Sequence, residues 1–166
     1  MQKETSREKA KILGKVASLH LHSGLPGERM QDVFSMELVA GKGIAGNRRY
    51  FSRPTRRQVT LIEREQLTEH AAMLDLEEIA PGRVRSNIET TGIWFRELIG
   101  KRIQIGASAV LFLYEARIPC HKMEAIAPGM RRLMENGRQG VLAQVVVSGV
   151  IQTGDTITLA NSKMVQ

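Results

Sequence analysis

The chain has 166 residues and a single cysteine, Cys120. A lone thiol cannot close an intrachain disulfide, so it must serve either packing or chemistry. Aromatic residues make up only 4%, too few for the stacked-ring platforms that bind single-stranded nucleic acid. No apolar run approaches the roughly 20 residues that cross a bilayer. The segment Met1 to Lys11 is polar and mixed in charge, without the apolar stretch of a secretory signal. One unpaired cysteine and no signal point to a reducing compartment, with the cytoplasm as the expected location. Paired Cys-x-x-Cys, H-E-x-x-H and a Ser-His-Asp order are all missing, which leaves zinc and hydrolase readings without a motif.

Positive charge is in surplus. Twenty-four Lys and Arg against 17 Asp and Glu give +7, which favours an anionic partner: nucleic acid, an acidic membrane surface or a phosphorylated small molecule. With 42% hydrophobic residues and a mean hydropathy of −0.19, the chain can build an ordinary core. No repeat or linker divides it. The reading is an arm at 1–13, one domain at 14–160 and a tail at 161–166.

Short strands dominate the pattern. Approximate alternation predicts one over Lys15–Leu21, and others over Phe34–Val39 and Gln58–Ile62. Lys101–Ile105 and Ala109–Glu115 read as a hairpin across Gly106-Ala107-Ser108. Gly140–Ser148 and Asp155–Leu159 read as a second hairpin-like closure across 149–154. Helical spacing appears over Glu63–Leu76, with Leu67, Ala71 and Leu74 on one face and His70 toward solvent. It appears again over Gly129–Glu135, where Met130, Leu133 and Met134 read as core and Asn136-Gly137 as the stop. The fold class expected is mainly β with a few short helices, built as a single-domain antiparallel barrel.

Cys120 lies between Pro119 and His121, after an apolar run. Pro119 tends to end the preceding strand, which puts the thiol on a loop. Arg117, His121 and Lys122 surround it with positive charge, which favours the nucleophilic thiolate. A buried, inert cysteine is the alternative. Arg48, Arg49, Arg53, Arg56, Arg57 and Arg64 crowd one stretch opposed only by Glu63. It follows the bend GKGIAGNRR, where backbone amides can approach an anion, although the spacing is neither a P-loop nor a dinucleotide fingerprint. That stretch reads equally as an oxyanion site or as a solvated loop. His20 and His22 share a strand face; without a third ligand they read as one partly buried and one surface histidine rather than a metal pair. Ser23 and Gly24 offer donors to an anion at the strand end.

In order, HLHSGLPG, GIAGNRRY, RQVTLIEREQL, RSNIETTGI, ELIGKRIQIG, IPCHKM and RQGVLAQVVVSGVIQTGDTI resemble the MOSC domain, named for the C-terminal part of molybdenum-cofactor sulfurases. The resemblance runs over about residues 14 to 159 and is nearest to small stand-alone bacterial members. It implies a MOSC-like β-barrel. It also implies that Cys120 is the functional residue, carrying sulfur as a persulfide or ligating molybdenum in a pyranopterin cofactor. Arg85 and Asn87 match the family's arginine/asparagine motif, and Arg48 and Arg49 sit in the bend placed at the same pocket, with Ser23 and His121 as further cofactor contacts. Three positions depart from the family pattern: Asn47 replaces an acid in the bend, Arg49 stands near the place of the family's histidine, and Ser86 stands where an arginine usually precedes the asparagine.

The function so implied is sulfur or molybdenum-cofactor handling through Cys120, as a persulfide carrier for metal–sulfur cofactor assembly. The partners would be a cysteine desulfurase-type donor, which would hold the pyridoxal phosphate, and molybdenum enzymes as acceptors. A second reading is a molybdenum oxidoreductase for N-hydroxylated compounds, with Cys120 as metal ligand and an electron-transfer partner. A third is a non-enzymatic module for an anionic ligand. Neither a membrane nor a specific nucleic acid is expected as partner.

Overall fold

The computed structural model describes residues 10–22, 24–25, 27–50 and 55–160. Ser23, Arg53, most of the expected arm and the tail at 161–166 lie outside the described residues. Among the described residues the chain is mainly β, with three short α-helices around a closed seven-stranded barrel.

The barrel begins with β1 (Ile12–Leu21), whose hydrophobic phase slips midway. A bulge between Val16 and Ser18 lets Val16 and Leu19, three residues apart, both enter the core. The same slip leaves Ser18 and His20 together on the outer face. β1 pairs with β6 (Ile88–Thr91) along one edge. Its other edge takes β11 (Thr156–Leu159) first and then β2 (Gln31–Val33).

Four more strands complete the ring: β5 (Val59–Glu63), β7 (Arg102–Ile105), β8 (Ala109–Ala116) and β9 (Val141–Val147). The order is β11-β7-β8-β9-β5-β6-β1, closed by the β1–β11 pair. Every pairing in the ring is antiparallel except β5–β6. A parallel pair needs a crossover, and α1 (Arg64–Met73) with the segment 74–87 supplies it. A small antiparallel sheet of β10 (Gly149–Gln152), β3 (Ser35–Val39) and β4 (Gly43–Ile44) completes the strands.

All five residues of β5 are buried because both its faces are covered. Val59 and Leu61 point into the barrel. Ile62 points out, into a second core of Leu67, Ala71, Ile79, Val84, Met123, Met130 and Met134. That second core seats α2 (His121–Glu124) and α3 (Met130–Leu133) against the crossover. The methionines are core, as their spacing implies.

Several elements differ from the sequence expectation. The first helix is shorter, Arg64–Met73, and Asp75 turns left-handed just after it. His70 is buried at 4% exposure rather than solvent-facing, because its Nε2 pairs with the Arg138 carbonyl at 2.8 Å. The expected C-terminal hairpin does not form: β9 pairs with β5 and β8, β11 with β1 and β7, and the intervening 149–152 forms β10 against β3. Arg64 finds its acid outside the arginine-rich stretch, pairing with Glu89 at 2.9 Å.

Candidate functional site

Cys120 is exposed. β8 ends at Ala116, and the Arg117 N–H then donates to the Gly140 carbonyl at 3.0 Å. Ile118 points outward, Pro119 is buried, and Cys120 is extended at φ −111° before α2 begins. Met123, buried in the second core, anchors the turn by donating its N–H to the Cys120 carbonyl at 3.0 Å. The thiol is thus a loop residue held from both sides by buried neighbours.

Beneath it, Arg117 Nη1 reaches the Val84 and Arg85 carbonyls and the Ser86 hydroxyl, each at 3.3 Å. Burial, then Arg57, lowers its pKa to about 10, and Arg85 and Arg49 push the same way; Cys120 opposes them. Arg85 itself has φ +64°, a left-handed conformation that costs a side-chain-bearing residue about 1–2 kcal/mol. The Arg117 clamp helps hold it, together with the Arg85 N–H bond to the Gly82 carbonyl at 3.1 Å. The Arg85 guanidinium donates to the Glu28 carbonyl at 2.9 Å. Such local strain is characteristic of ligand-clamping positions.

Arg85, His121 and Lys122 line a cleft of about 670 Å³ whose wall starts one residue past Cys120, the thiol itself not being part of the lining; Arg29 and Arg83 stand on the same walls and Asp32 is the one acid. Met30, Met123 and Ile126 give it an apolar portion. The bend lies alongside. Asn47 Oδ1 accepts the His22 N–H at 2.9 Å, and the Arg48 N–H donates to the His22 carbonyl at 2.6 Å. The His22 Nε2 is hidden without a hydrogen-bond partner. Burial first, then Arg85, Arg48 and Lys122, holds its pKa below the ordinary 6.5, against a backbone bond at Leu25. Cations from three separate segments therefore converge on one imidazole.

A family model for the MOSC domain matches residues 26–158. The chain belongs to the MOSC domain family. Solved structures share the fold. The YuaD protein of Bacillus subtilis superposes with a TM-score of 0.77 at 23% identity, covering 91% of this chain and 98% of that one. YiiM from Escherichia coli gives 0.66 at 19% identity over 89% and 70%. YiiM from Geobacillus stearothermophilus gives 0.63 at 13% identity over 92% and 76%. No curated protein matches the chain significantly.

In this MOSC domain the expected site residues take distinct places. Cys120, Arg85, Arg48 and Arg49 are linked electrostatically through Arg117 and His22, and His121 lines the cleft together with Arg85. Arg49 is exposed, its pKa lowered by burial of part of the side chain, then by Arg57 and Arg48, and raised back by Tyr114. Arg56 stacks over the Tyr114 ring at 4.4 Å. Asn87 is buried at 5% exposure and spends its side chain internally. Its Oδ1 accepts the Thr60 N–H and hydroxyl at 3.1 and 3.0 Å, and its Nδ2 donates to the His20 carbonyl at 3.1 Å. It ties β1, β5 and the bend together. The sequence reading missed Arg29 and Arg83, which no motif marks, and the Arg117 clamp, which depends on contacts remote in sequence.

Behind the cleft wall, His20 is 1% exposed and bonded to Asp32 through Nδ1 (2.7 Å) and to Ser18 Oγ through Nε2 (2.8 Å). The arrangement has the distances of a hydrolytic relay, yet neither Ser18 nor His20 lines the cleft. Its Nε2 also faces buried Glu89 at 3.5 Å. Glu89 in turn accepts the Gly82 N–H at 2.6 Å and pairs with Arg64, which donates to the Ile79 carbonyl. The network fixes the 79–82 wall. No helix of the described residues is long and apolar enough to cross a membrane.

Proposed function

We propose that this MOSC domain handles sulfur or molybdenum cofactor through Cys120, acting as a persulfide carrier. The observation behind the reading is the exposed thiol beside a cleft whose charged lining is almost wholly cationic. As a thiolate, Cys120 attacks the terminal sulfur of a donor persulfide. The donor S–S bond breaks, a new S–S bond forms at Sγ, and the donor leaves as thiolate, with no net oxidation. Arg117, clamped below the thiol, offsets the negative charge. A desulfurase-type partner would supply the sulfur and a molybdenum enzyme would receive it.

The cleft itself favours a second reading, in which Cys120 ligates molybdenum in a bound pyranopterin. The residues fit such a group. A thiolate suits a soft metal–sulfur centre, Arg29, Arg83, Arg85 and Lys122 suit a phosphate, and the unpartnered His22 Nε2 offers one more polar contact. When bound, the cofactor would supply a redox-active metal for reducing N-hydroxylated compounds with electrons from a partner. Here the arginines would bind and orient while Met30, Met123 and Ile126 limit water.

Molybdenum content per chain, measured after anaerobic purification from a molybdate-replete host, tests the choice. Near-stoichiometric metal that vanishes in Cys120→Ser places the oxidoreductase reading first. Without metal, a one-sulfur mass increase on incubation with a desulfurase and cysteine, lost in Cys120→Ser, supports the carrier. Sulfur loading that persists in Cys120→Ser would refute it.

A further inference from the structure

Away from the cleft, one end of the barrel gathers buried oxygens that no described residue satisfies. Glu63, 1% exposed, ends β5; its Oε1 accepts the Phe95 N–H at 2.8 Å, and its Oε2 has no partner. Thr90 is the register partner of Glu63 across the parallel β5–β6 pair. It is 0% exposed, and its Oγ1 is also unpartnered. On the other flank Leu61 pairs with Val141. Gln139 lies in the turn just before β9, two residues ahead of Val141, with Gly140 at φ +74° between them. Gln139 is 1% exposed, with Oε1 unpartnered.

A carboxylate, a hydroxyl and an amide oxygen thus lie buried on β5 and on the two segments that flank it, and none is hydrogen-bonded to another. Glu65 adds charge nearby. Its Oε1 holds the Gly92 N–H at 2.7 Å, its Oε2 is hidden and unpartnered, and it acts electrostatically on Glu63. Burial raises the Glu63 carboxyl above its usual range; the Phe95 bond opposes this and Glu65 adds to it. No Lys or Arg forms an ion pair with either glutamate among the described residues.

Buried acceptors without donors, and buried charge without a partner, are both costly. A water molecule would satisfy the hydrogen bonds but leave the charge, and protonating Glu63, which its burial favours, would still leave the Glu65 Oε2 without a partner. A cation answers both. All the donors are hard oxygens, which suit alkali and alkaline-earth ions rather than soft transition metals. We propose that Glu63, Thr90 and Gln139, supported by the charge of Glu65, form a binding site for a hard cation at this end of the barrel. Gln139 adjoins Gly140, whose carbonyl accepts the Arg117 N–H, so an occupied site would steady the turn from which Cys120 hangs. The proposal does not depend on what Cys120 does.

The test is thermal unfolding of the full chain, stripped with chelator into choline chloride and titrated at constant ionic strength with Na⁺, K⁺, Mg²⁺ or Ca²⁺ separately. At least one ion should raise Tm saturably, by on the order of 5 °C at a hundredfold excess over Kd, and the four arms identify which. Glu63→Gln should abolish the response without lowering Tm in choline. If that variant does not fold, Thr90→Val should move the titration to higher cation concentration. No response to any ion, or an unchanged response in the variant that folds, would overturn the site and leave the oxygens to water.

Discussion

At the residue scale, His22 gives the most direct readout of the cationic face. In the folded chain its pKa is depressed by burial and by Arg85, Arg48 and Lys122. In the unfolded chain it titrates near the ordinary 6.5. Below that pH the unfolded state binds the extra proton, so stability contributed by the neutral ring falls as pH drops through the unfolded value and on to the folded one. His22→Asn removes the titration while keeping the backbone bond to Asn47. Urea unfolding from pH 7 downward should show a shallower acid loss in the variant; parallel curves would mean the convergence of charge does not reach the ring. What the sequence disclosed at this scale was uneven. Cys120 was legible because it is the only thiol and stands among cations. The hidden Nε2 of His22, the left-handed Arg85 and the clamp by Arg117 were not, because each is created by segments dozens of residues apart. Asn87 shows the same limit from the other side: the motif marks its place in the chain but not the hydrogen bonds to Thr60 and the His20 carbonyl by which it ties strands together.

At the element scale, the strands with approximate alternation or continuous apolar runs were readable: β1, β3, β5, β7, β8, β9 and β11. β6 escaped because its IETT sequence carries Glu89, which is buried only by virtue of Arg64 and the Gly82 N–H. β10 escaped because its residues look like a turn until β3 pairs with them. Glycines at element ends separate two physical roles. Gly140 has φ +74°, and a methyl group there would run into the Leu61 carbonyl and the Ile62 backbone where β9 approaches β5. Gly154 has φ +92° with open space around it. Gly154→Ala should therefore cost only the backbone strain, about 1–2 kcal/mol. Gly140→Ala should cost more than about 4 kcal/mol, the range reserved for disrupted packing. Urea denaturation of the two variants decides it, and equal losses would show that the β5–β9 approach is not sterically tight.

At the scale of the whole molecule, a β-barrel was legible from many short strands and few helices, whereas its strand order was not, since alternation reports faces and says nothing of partners. The order matters because closure depends on pairing between distant parts of the chain. β11 fills the gap between β7 and β1, and its Ile157, fully buried, packs with Ile103, Ile105 and Val16 in the barrel core. A chain ending at Gly154 would lose that side chain, worth about 1.5–3 kcal/mol in burial alone. It would also leave the ladders on β7 and on the first half of β1 unpaired, exposing two sheet edges prone to pairing with other chains. Against a total stability of roughly 5–15 kcal/mol, the combined loss should abolish the cooperative transition. A chain ending at Ala160 keeps β11 and serves as the control. Circular dichroism during urea titration, with sedimentation to detect association, should show one sharp transition for the longer chain. The shorter one should give a broad, non-cooperative change with self-association. A sharp transition in both would mean that the barrel holds without its closing strand, and that the second core beneath Cys120, not closure, is what keeps the thiol and its cleft in register.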